Sequence, residues 1–406
     1  MKTVWILNHY AREPSHPGGT RHFGLARHLL PLGWRGVIIA SSIGSEKEAQ
    51  KLSRGLNRRI DNFDGISFLW VRAPRYSGDG VSRLFNMLVF SVRVLMPSVT
   101  SDIQRPDVIV GSSVHPFAAV AGALLARRFK VPFIFEVRDL WPKTLVEFGR
   151  LNERSLLAAF LRQVERWLYR EADRIVTLLP GAKLYIVPLG INEEKIIWLP
   201  NGVELKDTPV PTQAERSTRF LLMYFGAHGQ ANGLDVLMHA MKELRGQSEC
   251  SRLHLKLVGD GPMKSDLIEL AAELELDNVE FCDPVPKNRI PVLAAEADAF
   301  VLCIRDLPGL YQYGISPNKL FDYLAAARPI IISSGAPFDL VAEAQAGITV
   351  PPGDPHALAL GMVKVLKMPL SERIAMGTAG REFVEKNYSY ETLAARFASV
   401  LDQLVS

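Results

Sequence analysis

The segment FLLMYFGAHGQANG, residues 220–233, combines two signals. Six apolar residues, Phe220 to Phe225, run without a polar interruption, and a loop with Gly226, Gly229 and Gly233 follows at once. A strand with one wet face alternates apolar and polar residues. An unbroken apolar run suits a strand covered on both faces, as in a parallel sheet flanked by helices. The glycine loop after it is the turn from strand to helix in a βαβ unit.

The pattern recurs in both directions along the chain. Before it lie Val4–Leu7, Val37–Ala40, Phe68–Val71, Val108–Gly111, Phe133–Val137, Arg174–Leu179 and Ile196–Leu199. After it come Leu253–Gly259, Val279–Cys282, Ala299–Ile304, Pro329–Ser333 and Ile348–Pro351. Longer amphipathic stretches separate them. Asn201–Arg219 is rich in Pro, Glu and Thr and poor in large apolar residues, which marks a connection between two halves. The expected fold is therefore α/β, with two Rossmann-like parallel-sheet domains facing a central cleft. The boundaries expected are 1–203, a linker at 204–218 and 219–387. Ligands in such sheets bind beyond the carboxyl ends of the strands.

The 406 residues, 48% hydrophobic and 22% charged, suit two globular cores. The net charge of +4 is spread along the chain rather than gathered on one face, which argues against a nucleic-acid partner. Cys250, Cys282 and Cys303 are odd in number, form no CxxC pair and have apolar neighbours, so buried free thiols in a cytoplasmic protein are expected. Met1–Leu7 leads straight into a strand-like run, with no secretory signal. Residues 81–99 (VSRLFNMLVFSVRVLMPSV) carry only Arg83 and Arg93 as charges. They read as a core helix, as a helix lying in a membrane face, or as a span interrupted by Pro97.

Five segments hold residues suited to chemistry. Ser15–Thr20 follows the first strand and opens a helix, so Gly18 and Gly19 let backbone approach an anion, unless this is an ordinary βα turn. His115 stands beyond the fourth strand, as a proton or hydrogen-bond donor or as a helix cap. Glu136, Arg138 and Asp139 crowd the end of the fifth strand, to pair with one another or to contact a sugar. The Gly226–Gly233 loop offers backbone N–H groups to phosphate, with His228 and Asn232 as side-chain donors. In Gly314–Tyr323, Ser316 reads as an N-cap and Pro317 as the first helical residue. Lys319 in that first turn opposes the helix dipole unless an anion is bound, and Asp322 lies on the same face, free to accept from a ribose diol or to pair with Lys319. Arg305 and Asp306 also lie at a strand end, and Val285–Lys287 offers backbone to a base edge.

Gly18-Gly19, Pro200-Asn201-Gly202-Val203, Val258-Gly259-Asp260-Gly261-Pro262 and Ser316-Pro317-Asn318-Lys319-Leu320-Phe321-Asp322-Tyr323-Leu324-Ala325-Ala326 occur in that order. This pattern resembles the retaining GT-B-fold glycosyltransferases of family 4. EVRDLWP and GISPNKLFDYLAA make it most similar to the bacterial surface-polysaccharide branch that includes L-fucosamine transferases. The resemblance implies transfer of a hexose, N-acetylated or deoxy, from a UDP-sugar to a saccharide on a polyprenyl diphosphate, for lipopolysaccharide, O-antigen or capsule. It implies a final helix (388–406) returning to the first domain, and catalytic roles for His115, Lys319 and Asp322. The residue readings and the resemblance together give an expected donor site of Gly18, Gly19, Gly226, His228, Gly229, Asn232, Val285, Gly314, Ile315, Ser316, Asn318, Lys319 and Asp322. The implied acceptor and sugar site comprises His115, Glu136, Arg138 and Asp139.

The chain departs from the family at three points. The first acid of an acidic pair falls at Gly314, and two cations of the phosphate loop fall at Ala227 and Asn232. Lys319 is the expected replacement. No Asp-x-Asp motif serves the donor, so neither a metal nor another cofactor is expected. Residues 81–99 suggest a peripheral position on the inner face of the cytoplasmic membrane. The alternatives are a catalytically silent nucleotide-sugar-binding subunit and a UDP-sugar 2-epimerase.

Overall fold

The structure is a computed structural model that describes residues 1–16, 18, 20–43, 50–78, 80–206 and 219–405. Gly19 and most of the expected linker, from 207 to 218, lie outside the described residues. The chain divides into two compact units. The first comprises Met1–Pro14, Gly19–Pro200 and Tyr390–Ser406; the second comprises Ser15–Gly18 and Asn201–Ser389.

The first unit holds an eight-stranded sheet. Its strands are β1 (Lys2–Leu7), β2 (Trp34–Ser41), β3 (Arg58–Phe63), β4 (Ile66–Val71), β5 (Val108–Ser112), β6 (Phe133–Val137), β7 (Arg174–Thr177) and β8 (Ile196–Trp198). Their order is β3-β4-β2-β1-β5-β6-β7-β8. All pairs are parallel except the β3–β4 hairpin. β3 was not expected from the sequence. Its residues RRIDNF are mostly exposed or half-buried, because an edge strand needs no apolar run.

The second unit holds β9 (Phe220–Phe225), β10 (Leu253–Val258), β11 (Val279–Cys282), β12 (Ala299–Cys303), β13 (Ile330–Ser333) and β14 (Gly347–Val350). Their order, β11-β10-β9-β12-β13-β14, is that of a doubly wound sheet, parallel throughout. Every residue of β9 is buried, as its unbroken apolar run requires. Leu222 and Tyr224 enter the main core with Leu237, Met241 and Leu255. Each such side chain, fully buried, contributes about 1.5–3 kcal/mol.

In each sheet the strand order reverses once, between β1 and β5 and between β9 and β12. The crevices beyond these strand ends are where an open α/β sheet takes ligands.

The helix Tyr390–Val405 belongs to the first unit. It buries Leu393, Ala394, Phe397 and Leu401. A Cβ on Gly24, in the helix Arg21–Leu29, would lie 2.4 Å from the Tyr390 ring, so only glycine permits this approach. Asp402 accepts from Trp34 Nε1 at 3.2 Å and from Lys2 Nζ at 3.0 Å.

Two expectations need correction. The apolar stretch 81–99 is two helices, Val81–Val94 and Pro97–Thr100, and no helix among the described residues is long and apolar enough to cross a membrane. Cys250 and Cys303 are buried free thiols, but Cys282 is half-exposed because β11 is the sheet edge.

Candidate active site

In the second unit the carboxyl end of β9 runs into Gly226–Gly233. Gly226 and Gly259 adopt φ of 145° and 154°, and a Cβ on Gly259 would lie 1.9 Å from the Gly226 carbonyl oxygen. Two strand ends therefore meet backbone to backbone here, and the N–H groups of Gly226, His228 and Gly259 donate to the Val258, Asp260 and Cys282 carbonyls. His228 is wholly buried, and neither ring nitrogen has a partner. Burial, then Lys264 and Lys319, bring its pKa down to about 4, so it is neutral near pH 7.

Lys319 reaches across to this loop. Its Nζ donates to the Tyr224 hydroxyl and to Asn232 Oδ1 (2.7 Å), and lies 4.3 Å from the centre of the Tyr224 ring. No carboxylate pairs with it among the described residues. Burial lowers its pKa to about 7. The surrounding cations are already engaged. Lys264 donates to the Gly259 and Cys282 carbonyls and to Asp283. Arg305 holds Asp235 at 2.8 Å and the Gln230 carbonyl at 3.1 Å, so it braces the loop.

Three readings of this segment change. Ser316 is not the N-cap. The helix is Asn318–Ala325 with Pro317 at its cap, and Ser316 Oγ accepts from the Asn201 N–H at 3.1 Å. Asp322 does not pair with Lys319. It takes a bidentate ion pair from Lys287, at 2.6 and 2.7 Å. Asn232 spends its side chain internally, donating to the Ala227 carbonyl and accepting from Lys319. Gly229 lies at the start of the turn Gln230–Asn232, Val285 is half-buried just before Lys287, and Gly314 and Ile315 precede the helix with Gly314 at φ 89°.

In the first unit, Glu136 is not exposed to a ligand. It is buried at the end of β6 and accepts from Arg21 Nε (3.0 Å), His22 Nε2 (2.6 Å) and Ser112 Oγ (2.7 Å). Arg21 also donates to the Leu199 and Pro200 carbonyls. Asn8 Oδ1 accepts from the Tyr10 N–H, so its Nδ2 faces His22 Nδ1 at 3.0 Å. That sets the His22 proton on Nε2, toward Glu136. Burial alone would raise Glu136, but His22 and Arg21 hold it well below the usual carboxylate range. Arg138 and Asp139 make no ion pair within 4.0 Å with it or with each other, although the Arg138 charge also helps to lower Glu136. Arg138 is half-buried and Asp139 exposed.

Of the two roles expected of it, His115 is seen in one, the helix cap. Its Nδ1 accepts from the Ala118 N–H at 3.4 Å and caps the helix Pro116–Phe129. The proton is then on Nε2, which is buried without a partner. The His9 ring lies 4.9 Å away, with neither nitrogen satisfied, and Asn86 Oδ1 is also unsatisfied. Burial pushes His9 down to about 3 and His115 well below its ordinary value, so both present neutral rings. His9, Asn86, Tyr224 and the side chain of Lys287 were missed in the sequence; His9 sits two residues past Leu7, which ends β1, a position the strand-end rule marks. Gly18 lies in a bend before the helix Arg21–Leu29.

Residues 18–202 match the family described as "Glycosyl transferase 4-like domain", and residues 219–368 match "Glycosyl transferases group 1". A GDP-mannose-dependent alpha-(1-6)-phosphatidylinositol monomannoside mannosyltransferase of Mycobacterium tuberculosis is 31% identical over 384 residues, 90% of this chain and 92% of that protein. The chain belongs to the GT-B-fold glycosyltransferases of family 4. This glycosyltransferase is also 22% identical over 338 residues to the probable glycosyltransferase WbjE of Pseudomonas aeruginosa, covering 80% of this chain and 81% of WbjE. Other relatives of the glycosyltransferase are named "Putative colanic acid biosynthesis glycosyltransferase WcaL", of Escherichia coli, and "Lipopolysaccharide core biosynthesis glycosyltransferase LpsD", of Rhizobium meliloti. HepE of Anabaena, solved with UDP and glucose, has the same fold, with a TM-score of 0.70 at 15% identity over 100% of both chains.

Proposed function

We propose that this glycosyltransferase moves an N-acetylated or deoxy hexose from a UDP-sugar to a lipid-linked saccharide in bacterial surface-polysaccharide biosynthesis, with retention. The observation that carries the reading is Lys319. It is a partly buried amine with no carboxylate partner among the described residues, beside a glycine loop and a His228 whose ring nitrogens have no partner there. A leaving diphosphate supplies the missing charge, and stabilising that charge is the largest catalytic contribution expected of such a site. The acceptor oxygen bonds to the anomeric carbon as the sugar–phosphate bond breaks, and its proton passes to the departing phosphate oxygen. Glu136 is enclosed by Arg21 and His22, which removes it as a covalent nucleophile and supports front-face attack. His115 Nε2–H donates to a sugar hydroxyl, and Asp322, oriented by Lys287, accepts from the ribose. Val81, Phe85 and Val92, each more than half exposed, support a position at the inner membrane face.

The nucleotide is the point most open to test, since the mannosyltransferase relative depends on GDP-mannose and HepE was solved with UDP. Calorimetry with UDP and GDP on wild type and Lys319→Ala decides it. UDP binding that weakens at least about tenfold in the variant, ~1.4 kcal/mol, is expected. Binding of GDP alone replaces the donor. Binding of neither, or an unaffected variant, removes the donor-site assignment.

A further inference from the structure

The glycine loop of the second unit carries a closed ring of hydrogen bonds. Lys319 Nζ donates to the Tyr224 hydroxyl and, at 2.7 Å, to Asn232 Oδ1. Tyr224 Oη donates to the Ala227 carbonyl at 2.6 Å, and Asn232 Nδ2 donates to that same carbonyl at 2.9 Å. The direction of every bond is forced. The carbonyl only accepts, and the phenol has a single proton, which Ala227 takes. Tyr224 can therefore only accept from Lys319. Reversing the Asn232 amide would set oxygen against oxygen and nitrogen against nitrogen. Burial raises the Tyr224 phenol above its ordinary pKa, so it keeps the proton that closes the ring.

Each corner of the ring is anchored. Tyr224 is fully buried in β9, and Asn232 ends the turn Gln230–Asn232. Lys319 stands in the first turn of the helix Asn318–Ala325. Four residues on, and so on the same helix face, Tyr323 clamps that helix to β9. Its hydroxyl accepts from the Phe225 N–H at 3.0 Å and donates to the Phe225 carbonyl at 3.2 Å. Its ring stacks on Phe300 with 4.3 Å between centres. A Cβ on Gly226 would lie 2.7 Å from Lys319 Cε, so the lysine stem passes over bare backbone. The rotamer freedom that a loose lysine gives up on gripping a ligand is here given up on folding.

The nitrogen itself has three positions besides its bond to Cε. Tyr224 and Asn232 occupy two of them. A lone pair fills the third in the amine and an N–H fills it in the ammonium. The ring is thus the same in both forms, and protonation alters only the open position.

We infer that Tyr224 and Asn232 are positioning residues for nucleotide binding: their ring on the Ala227 carbonyl fixes the Lys319 nitrogen at the glycine loop with one N–H left for a diphosphate oxygen. This deepens the donor-site reading above and rests on it.

The test is calorimetry of the full chain with UDP and with GDP. The proteins are wild type, Tyr224→Phe, Asn232→Ala, Lys319→Met, and Lys319→Met combined with each of the other two. Tyr224→Phe and Asn232→Ala are each expected to weaken the nucleotide that binds about fivefold or more. In the Lys319→Met background neither is expected to weaken it further, because nothing is left to position. Additive losses mark a structural role and overturn the inference. So do single variants that bind like wild type while Lys319→Met does not. The donor reading survives both of those outcomes. Binding of neither nucleotide, or an unaffected Lys319→Met, sinks the donor reading and this inference with it. Should Tyr224→Phe lose its melting transition, Asn232→Ala, at a half-buried site, carries the comparison alone. A second readout needs no nucleotide. The NMR resonance of Lys319 Cε, identified by its loss in Lys319→Met, is expected to titrate at lower pH in Tyr224→Phe, since the ammonium loses an acceptor. The other titratable groups facing Lys319 are His228, brought down to about 4, and Cys303, pushed up to about 12, and both titrate outside that range. An unmoved midpoint overturns the ring as the holder of Lys319.

Discussion

Lys319 shows how one residue couples charge to ligand. Burial holds its ammonium at a pKa of about 7, against ~10.4 for an unconstrained lysine. Near neutral pH the ligand-free side chain is divided between two forms. A diphosphate beside it favours the ammonium, so nucleotide binding takes up protons and weakens as pH rises above 7. Calorimetry at about pH 8, in two buffers of different ionisation enthalpy, is expected to show that uptake in wild type and not in Lys319→Met. Stability of the free protein runs the opposite way. Between the folded and unfolded pKa the unfolded chain holds a proton that the folded chain lacks, so raising the pH across that window favours folding. Lys319→Met is expected to lose this slope in urea melts. The sequence placed Lys319 in the first turn, where the dipole opposes it. It did not show Tyr224, 95 residues away, as the group that receives it.

At the scale of elements, strands buried on both faces were legible because a short apolar run closed by a glycine turn, such as Phe220–Phe225, suits a strand, whereas the longer apolar run Ala118–Ala126 is a helix. β3 was not, since RRIDNF at an exposed edge has the composition of a loop. The helix Arg21–Leu29 is a different case. Its first-turn Arg21 and His22 look like surface charges, yet both are buried on Glu136. Its Gly24 looks like a weak point for a helix, yet it admits the Tyr390 ring. Gly24→Val therefore gains helix propensity locally and loses packing. The ring blocks the new side chain, and the net cost is expected at about 1–3 kcal/mol, read as a lowered midpoint in thermal or urea unfolding. A variant as stable as wild type would show that Tyr390 does not sit there.

On the scale of the molecule, the two units are interleaved in sequence. The first is closed by the last helix, Tyr390–Val405, after the second has been completed. A chain ending at Ser389 keeps every strand of both sheets but leaves the surface around Gly24 uncovered. It is expected to lose the first unit's cooperative melting transition while the second, whose sheet and glycine loop are intact, still binds nucleotide. Calorimetric scanning with and without UDP checks this, and two unchanged transitions would refute it. The same truncation separates binding from transfer, since His115 lies in the first unit.

The sequence alone determined what local periodicity and turn chemistry report: strands, the glycine turns after them, the α/β class and the positions beyond strand ends where chemistry gathers. Those features depend on residues a few positions apart. Tertiary structure decided which partners those positions meet. Glu136 finds Arg21 and His22, Asp322 finds Lys287, and Ser316 accepts from Asn201. Each of these pairs spans 35 to 115 residues of chain. Such partners are set by strand order, register and helix approach, which minimise buried unpaired charge over a whole unit, and no short window of sequence contains that sum.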